Sequence, residues 1–332
     1  MAISAWDGPI LRSVRPVITQ SRSVRTNIDS IATVAGWMAF EEFTFPSGAS
    51  AGPFALGSTP DEIVDFVMLA SALNFAFTDF KSGVKYSVEY DGTIWSDTEG
   101  MFVRIHQAVA AGTDLCDGSL MAKITSSNLA DVFAGNIVMP MLDARAEILN
   151  SIGSVLEDRY EGRFHNFVAS CPPAMYDNGD GLLERLIEEF PRFNDSSPYR
   201  GETVQLHKLG QLALWSLHMG LHGSGDWALR DLTDMTAFAD YIVPVALRLM
   251  GILEYSPDLE QRINSGTMIA RDSPEEVEIR AHTVYATALL TDAINELRSS
   301  DRQLVIPQVD YRLWKSYHAT TWPHHLTETV MY

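Results

Sequence analysis

Apolar residues recur three and four positions apart over most of this chain, the period of helices that bury one face. Ile63, Phe66, Val67, Ala70 and Leu73 follow the capping signal Ser58-Thr59-Pro60-Asp61. The same spacing runs from Thr98 to Ala111 and stops at Gly112, and a short helix through Phe133 has a cap at Ser127-Asn128. Met141 to Tyr160, Gly181 to Phe190 and Val204 to Leu221 are further helical stretches, and Ser273-Pro274 opens a long amphipathic candidate from Glu275 to Leu297. Lys85 to Tyr90 and Thr93 to Ser96 are instead β-branched and aromatic, joined by Asp91-Gly92, a two-residue hairpin turn. Strand and helix units do not alternate, which argues against a parallel sheet. The expected fold is mainly α with one small antiparallel β-hairpin, a single domain over residues 1–332. The turn-rich Asn194-Asp195-Ser196-Ser197-Pro198 marks either a loop or a soft boundary between two helical lobes near 192–201.

Composition narrows the function. The 332 residues are 46% hydrophobic and 20% charged, enough apolar surface for a sizeable core. A formal charge of -19 argues against holding long nucleic acid, which proteins bind by concentrating Lys and Arg on its phosphates. No run is long and apolar enough to span a membrane: Tyr241 to Tyr255 is broken by Pro244 and Arg248. Met1 to Pro9 lacks the pattern of a signal peptide, and two cysteines, Cys116 and Cys171, make no disulfide framework. A soluble cytoplasmic protein is expected.

Candidate chemistry centres on Asp240, a carboxylate in the apolar run Thr236 to Pro244, downstream of the lone Lys208. One explanation is a buried anion beside a bound substrate, and the other is a cap for the helix that Pro244 opens. His218 and His222 have a spacing that can share a metal, with His324 and His325 as further ligands, but the Glu usual between such a pair is absent and no metal is expected. Gly223-Ser224-Gly225 offers either an amide nest for a phosphate or a helix C-cap. Neither cysteine has a cationic neighbour in sequence, and there is no Gly-x-Ser-x-Gly elbow, so serine or cysteine catalysis lacks support. Aromatic and polar residues mix in Leu73 to Phe80 and in Val309 to Trp314, suited to a flat heterocycle or to ordinary packing.

Phe238-Ala239-Asp240-Tyr241 with Pro244, Leu253-Glu254-Tyr255-Ser256, Glu275 to Arg280, Asp310-Tyr311 with Leu313-Trp314, and Pro323-His324-His325 with Tyr332 together resemble the queuosine salvage protein family. The similarity runs from about Val17 to Tyr332 and takes in Leu73-Asn74-Phe75, the hairpin, Glu188-Glu189-Phe190-Pro191, Lys208 and Gln211. It implies a helical fold like that of helix-hairpin-helix DNA glycosylases. It also implies hydrolysis of the N-glycosidic bond of queuosine 5′-monophosphate, with release of queuine for reinsertion into tRNA and no cofactor.

By the same matching, Asp240 is the catalytic aspartate, paired with Lys208, and Phe238, Asp310 and Tyr311 contact the base. Phe75, Asn74 and His325 complete the expected substrate-binding set. Breaking an N-glycosidic bond builds positive charge on the ribose, which an ionised carboxylate stabilises in the transition state or captures covalently. Lys208 would orient Asp240 or hold the phosphate, with His325 and Arg280 as further phosphate candidates, although Arg280 reads better as an ion pair within its acidic helix. Thr98-Glu99, His106-Gln107, Leu326 and Lys315 depart from the common family pattern, which leaves room for a different modified nucleotide or for a non-catalytic queuine-binding module.

Overall fold

The computed structural model describes residues 5–43, 45, 50, 51, 54, 55, 57–221, 227–318 and 320–332. Helices dominate, joined to two-stranded antiparallel sheets. Their limits follow local chemistry. Thr59 caps Pro60–Ala72 reciprocally with Glu62, Thr125 caps Ser126–Val132 with Asn128, and Ser273 caps Pro274–Glu296. Leu142–Arg159 and Leu182–Glu189 fall where the apolar period places them, and Asp97–Ala110 ends two residues before Gly112, whose φ is 89°.

The expected hairpin forms between Ser87–Tyr90 and Thr93–Ser96, with Asp91 and Gly92 both at positive φ. Among the described residues, three further two-stranded sheets correct the expectation of a single one. Ser196–Tyr199 pairs with Glu202–Gln205 across Arg200-Gly201, so Val204, expected to be helical, lies in a strand. Pro198 and the non-glycine Arg200, at φ 50°, hid this hairpin. Val24–Thr26 pairs with Leu253–Tyr255 across most of the chain, and Ser50–Ala51 pairs with Phe54–Ala55.

The helix Pro274–Glu296 also departs from its reading. It is buried almost all round, not amphipathic: Ile279, Ala286, Leu290 and Ile294 face one core, Val277, Ala281, Val284 and Ala288 another. Its Glu276, Glu278, Arg280 and His282 are buried too, each with a polar partner inside the protein.

Apolar side chains gather in three clusters. The largest runs from Ile63 to Phe238; a second packs Val24–Ala39 residues against Val243–Leu313 residues; a third joins Ile10, Leu11, Val14 and Val17 to the central helix. One short segment belongs to all three. Met235 and Phe238 pack in the first, Ala237 and Ala239 in the third, and Val243 in the second. Asp240 therefore sits where the cores meet, a place that leaves its backbone little freedom.

Candidate active site

The segment carrying Asp240 is tied down residue by residue. Gln211 accepts the Thr236 amide hydrogen at 2.8 Å, and its own Nε2 donates to Thr236 Oγ1 and to the Leu206 carbonyl, both at 3.0 Å. The Phe238 amide donates to Asp310 Oδ1 at 2.9 Å, and Arg280 Nε donates to the Ala239 carbonyl at 3.0 Å. Asp240 Oδ1 then accepts the amides of Ile242 and Val243, each at 2.8 Å, at the entry to the helix Val243–Leu249. Asp240 thus serves the helix entry expected of a cap, and it does so as a buried carboxylate.

Lys208 opens the helix Lys208–Leu221, immediately after His207, which sits at φ 46°. Its backbone N donates to Asp195 Oδ2 at 3.1 Å, while the amides of Leu206 and His207 donate to the Asp195 carbonyl at 2.9 Å. Asp195 is therefore the cap of the lysine helix, supplied from a distant loop.

The charges of Lys208, Asp240 and Asp310 act on one another in a dry setting. Burial drives the Lys208 ammonium below its ordinary range, opposed by the attraction of Asp240 and Asp310. Burial raises Asp240, opposed by Lys208, by the two helix-entry amides and by Arg280. Asp310 is pushed well above the usual carboxylate range, first by burial and then by the charge of Asp240. Two carboxyl groups and one ammonium in such surroundings favour one carboxylate ionised and one protonated.

The other expected residues occupy varied surroundings. Tyr311, half-buried, has its ring 5.9 Å from that of Phe45 and 6.2 Å from that of Trp314. Asn74, half-buried, accepts from Thr98 Oγ1 at 2.9 Å. Phe75 is 1% exposed, with the guanidinium groups of Arg145 and Arg192 at 4.1 Å and 4.7 Å from its ring centre. The next residue, Ala76, is at φ 45°, so a residue in the left-handed region adjoins Phe75 as well as Lys208. His325 meets the Tyr332 hydroxyl at 3.2 Å, and burial holds its pKa down to about 3, so it is a neutral imidazole.

Arg280 forms the expected ion pair within its helix and a second, closer one outside it. Glu276, one turn away on its helix, is 3.6 Å off, but the principal partner is Asp195, which takes both terminal nitrogens at 3.0 and 2.5 Å. Asp195, read only as part of a turn, was missed because Asn-Asp-Ser-Ser-Pro carries no sign of a distant cation. His218 stacks on Trp215 at 6.2 Å and accepts from the Leu229 amide, whereas His222 and Gly223-Ser224-Gly225 lie outside the described residues. Among the described residues no group of three or more His, Cys, Asp or Glu is placed to hold a metal. Burial also raises both cysteine thiols, against a role as nucleophile.

Lys208, Asp240 and Asp310 are thus buried groups coupled through their charges, and comparison with known proteins decides the family. A family model described as queuosine salvage protein matches residues 55–332. The chain belongs to the queuosine salvage protein family. It is 33% identical over 326 residues to the queuosine 5′-phosphate N-glycosylase/hydrolase of Sphaerobacter thermophilus, covering 97% of each chain. The mouse protein of the same name is 26% identical, over 92% of this chain and 89% of its own. The Schizosaccharomyces pombe protein of that name is 25% identical, over 92% and 90%.

Two cavities bear on where a queuosine salvage protein could take a ligand. One of about 20 Å³ adjoins the site between Ala76, Phe77, Tyr241, His324, His325 and Tyr332, room for about one water. A larger one of about 580 Å³ lies along Ser21–Thr26 and Glu254–Ser256. Its groups are already engaged, Arg25 with Glu254 and His282 with Thr26 and Ser21; Lys208, Asp240 and Asp310 line neither cavity, and the smaller one holds Tyr241, the residue after Asp240, and His325.

Proposed function

We propose that this protein hydrolyses the N-glycosidic bond of queuosine 5′-monophosphate and releases queuine for salvage into tRNA. The observation that carries the reading is the mutual burial and charge coupling of Lys208, Asp240 and Asp310 in a chain of this family. Three relatives bear the name queuosine 5′-phosphate N-glycosylase/hydrolase. No helix among the described residues is long and apolar enough to cross a membrane, in keeping with a cytoplasmic enzyme acting on a small nucleotide.

Asp240 is the ionised group. Its Oδ1 serves the helix entry, which leaves Oδ2 for the anomeric carbon. A unit charge about 4 Å from the developing cation, at an effective dielectric near 20, stabilises it by about 4 kcal/mol, on the order of a thousandfold in rate. Lys208 holds Asp240 ionised, a role its charge coupling supports over phosphate binding.

Asp310 supplies what a 7-deazapurine lacks. Carbon replaces the ring nitrogen that a purine hydrolase protonates, so departure is helped elsewhere. With Oδ1 engaged by Phe238, the carboxyl has its second oxygen free for the base, and it is kept protonated by burial and by Asp240. The bond from the anomeric carbon to the base nitrogen breaks with its electron pair going to the base, which takes the Asp310 proton. Water then adds hydroxide to the anomeric carbon and returns a proton to Asp310. Phe238 and Tyr311 stack on the heterocycle, with Asn74, Phe75 and His325 bounding it. A nucleotide exceeds the cavity of about 20 Å³, so its lining moves outward on binding.

One observation favours a second reading, an N-glycosidase for another modified nucleotide. Two of the residues that depart from the family pattern meet the expected pocket: Thr98 bonds Asn74, and the charge of Glu99 helps raise the Tyr311 hydroxyl. Incubation with queuosine 5′-monophosphate, its dephosphorylated nucleoside and ordinary purine nucleotides, with chromatography of released base, separates the two. Queuine from the monophosphate is expected; release only from another nucleotide supports the second reading.

A further inference from the structure

We propose that the buried ion pair of Asp195 and Arg280 is a positioning clamp that sets Lys208 against Asp240 for glycosidic cleavage, a role that rests on the hydrolase reading above. Three consecutive hydrogen bonds connect the two reacting segments. The Lys208 amide donates to Asp195 Oδ2 at 3.1 Å, Arg280 Nη2 donates to the same oxygen at 2.5 Å, and Arg280 Nε donates at 3.0 Å to the carbonyl of Ala239, the residue before Asp240. Nη1 takes Asp195 Oδ1 at 3.0 Å, so the fork is bidentate and cannot swivel.

A second row braces the guanidinium. The Tyr332 ring lies 4.5 Å from Arg280 Cζ, its hydroxyl donates to Glu276 Oε1 at 3.0 Å, and that same oxygen is 3.6 Å from Arg280 Nη1. His325 closes the row on the Tyr332 hydroxyl. Arg280 and Asp195 are each 1% exposed.

Stability does not explain such a pair. Replacing a buried ion pair by apolar residues of similar volume is often neutral or stabilising, because both charges lose their hydration. What an apolar pair cannot supply is a directional link from the lysine helix to the aspartate segment. The link matters because catalytic groups displaced by about 1 Å lose on the order of a hundredfold in rate. Neither residue touches the substrate in this arrangement; both act through Lys208 and Asp240.

Three variants test the clamp: Asp195→Asn, Arg280→Lys, and the double variant Asp195→Leu with Arg280→Met, which keeps apolar volume in place of the pair. Each is expected to fold, with the double variant melting near the wild-type temperature. For all three kcat should fall by on the order of a hundredfold with KM little changed, since alignment is lost and not binding. A readout without turnover accompanies this, titration of the Asp240 carboxyl carbon by ¹³C NMR. Arg280→Lys keeps the charge, so an upward move of the Asp240 titration there reports separation from Lys208. Wild-type kcat together with an unmoved titration in the folded variants overturns the clamp. Failure of all three to fold also overturns it, by assigning the pair to fold maintenance. If the wild-type protein releases no base, the hydrolase reading fails, while the NMR titration still decides whether the pair sets the geometry.

Discussion

Asp240 Oδ1 takes two amide hydrogens ahead of a helix, an ordinary duty for an aspartate, and a cap is all that its position before Pro244 required. Burial beside Lys208 and Asp310 is what distinguishes it, and that could not be read from the apolar run alone. The residue-scale consequence of the proposed mechanism is a bell-shaped pH profile for kcat/KM, which reports the free protein. Asp240 must be ionised, and burial raises its pKa from the ordinary 3.8, so the acid limb lies above that of a free aspartate. Lys208 must stay charged, and its pKa is lowered from 10.5, so loss on the alkaline side begins below the range of a free lysine. Rates measured across pH check both limbs. Deprotonation of Asp310 contributes to the same alkaline loss, and Asp310→Asn should lower kcat while removing that contribution.

Among the elements, the helices were readable because capping residues and the apolar period agree, as at Thr59 with Glu62 and at Ser273. The second hairpin was not, since Arg200 holds a conformation its side chain does not advertise. The central helix misled because a buried charged residue and an exposed one look alike in sequence: Glu278 accepts the amides of Arg22, Ser23 and Val24 and the Tyr199 hydroxyl, contacts no local pattern reveals. For the candidate site, Asp240 and Lys208 stand out in the sequence by an apolar run and a lone lysine and Asp310 through the family motifs, whereas Asp195 has no counterpart in that reading. Close packing gives a direct test at this scale. A Cβ on Gly153, in Leu142–Arg159, would meet the Ala122 nitrogen at 2.4 Å and the Gly118 oxygen at 2.5 Å, both backbone. Gly153→Ala should therefore destabilise by about 1–3 kcal/mol, as overpacking does, measured by urea unfolding.

For the whole molecule, the same buried acids shape stability against pH. Asp195 is held below the usual carboxylate value of 3.8 by Arg280 and the Lys208 amide against burial, so its contribution is present above that value and is lost as pH falls through the folded value. Asp310 behaves oppositely: its contribution is full below 3.8 and is lost as pH rises through its raised folded value. Asp310→Asn should thus gain in melting temperature relative to wild type as pH rises above 3.8, and a scan at several pH values checks this. A site that destabilises its own fold near neutrality fits a place where three cores converge on reacting groups.

The most direct test of the central claim compares queuine release from queuosine 5′-monophosphate by the wild-type protein and by Asp240→Asn. The substitution keeps an oxygen for the Ile242 and Val243 amides, so the fold and the helix entry should survive. Steady release by the wild type and a loss on the order of a thousandfold in the variant, with monophosphate binding retained, is the expected result. Equal release by both proteins, or none from the wild type, contradicts it.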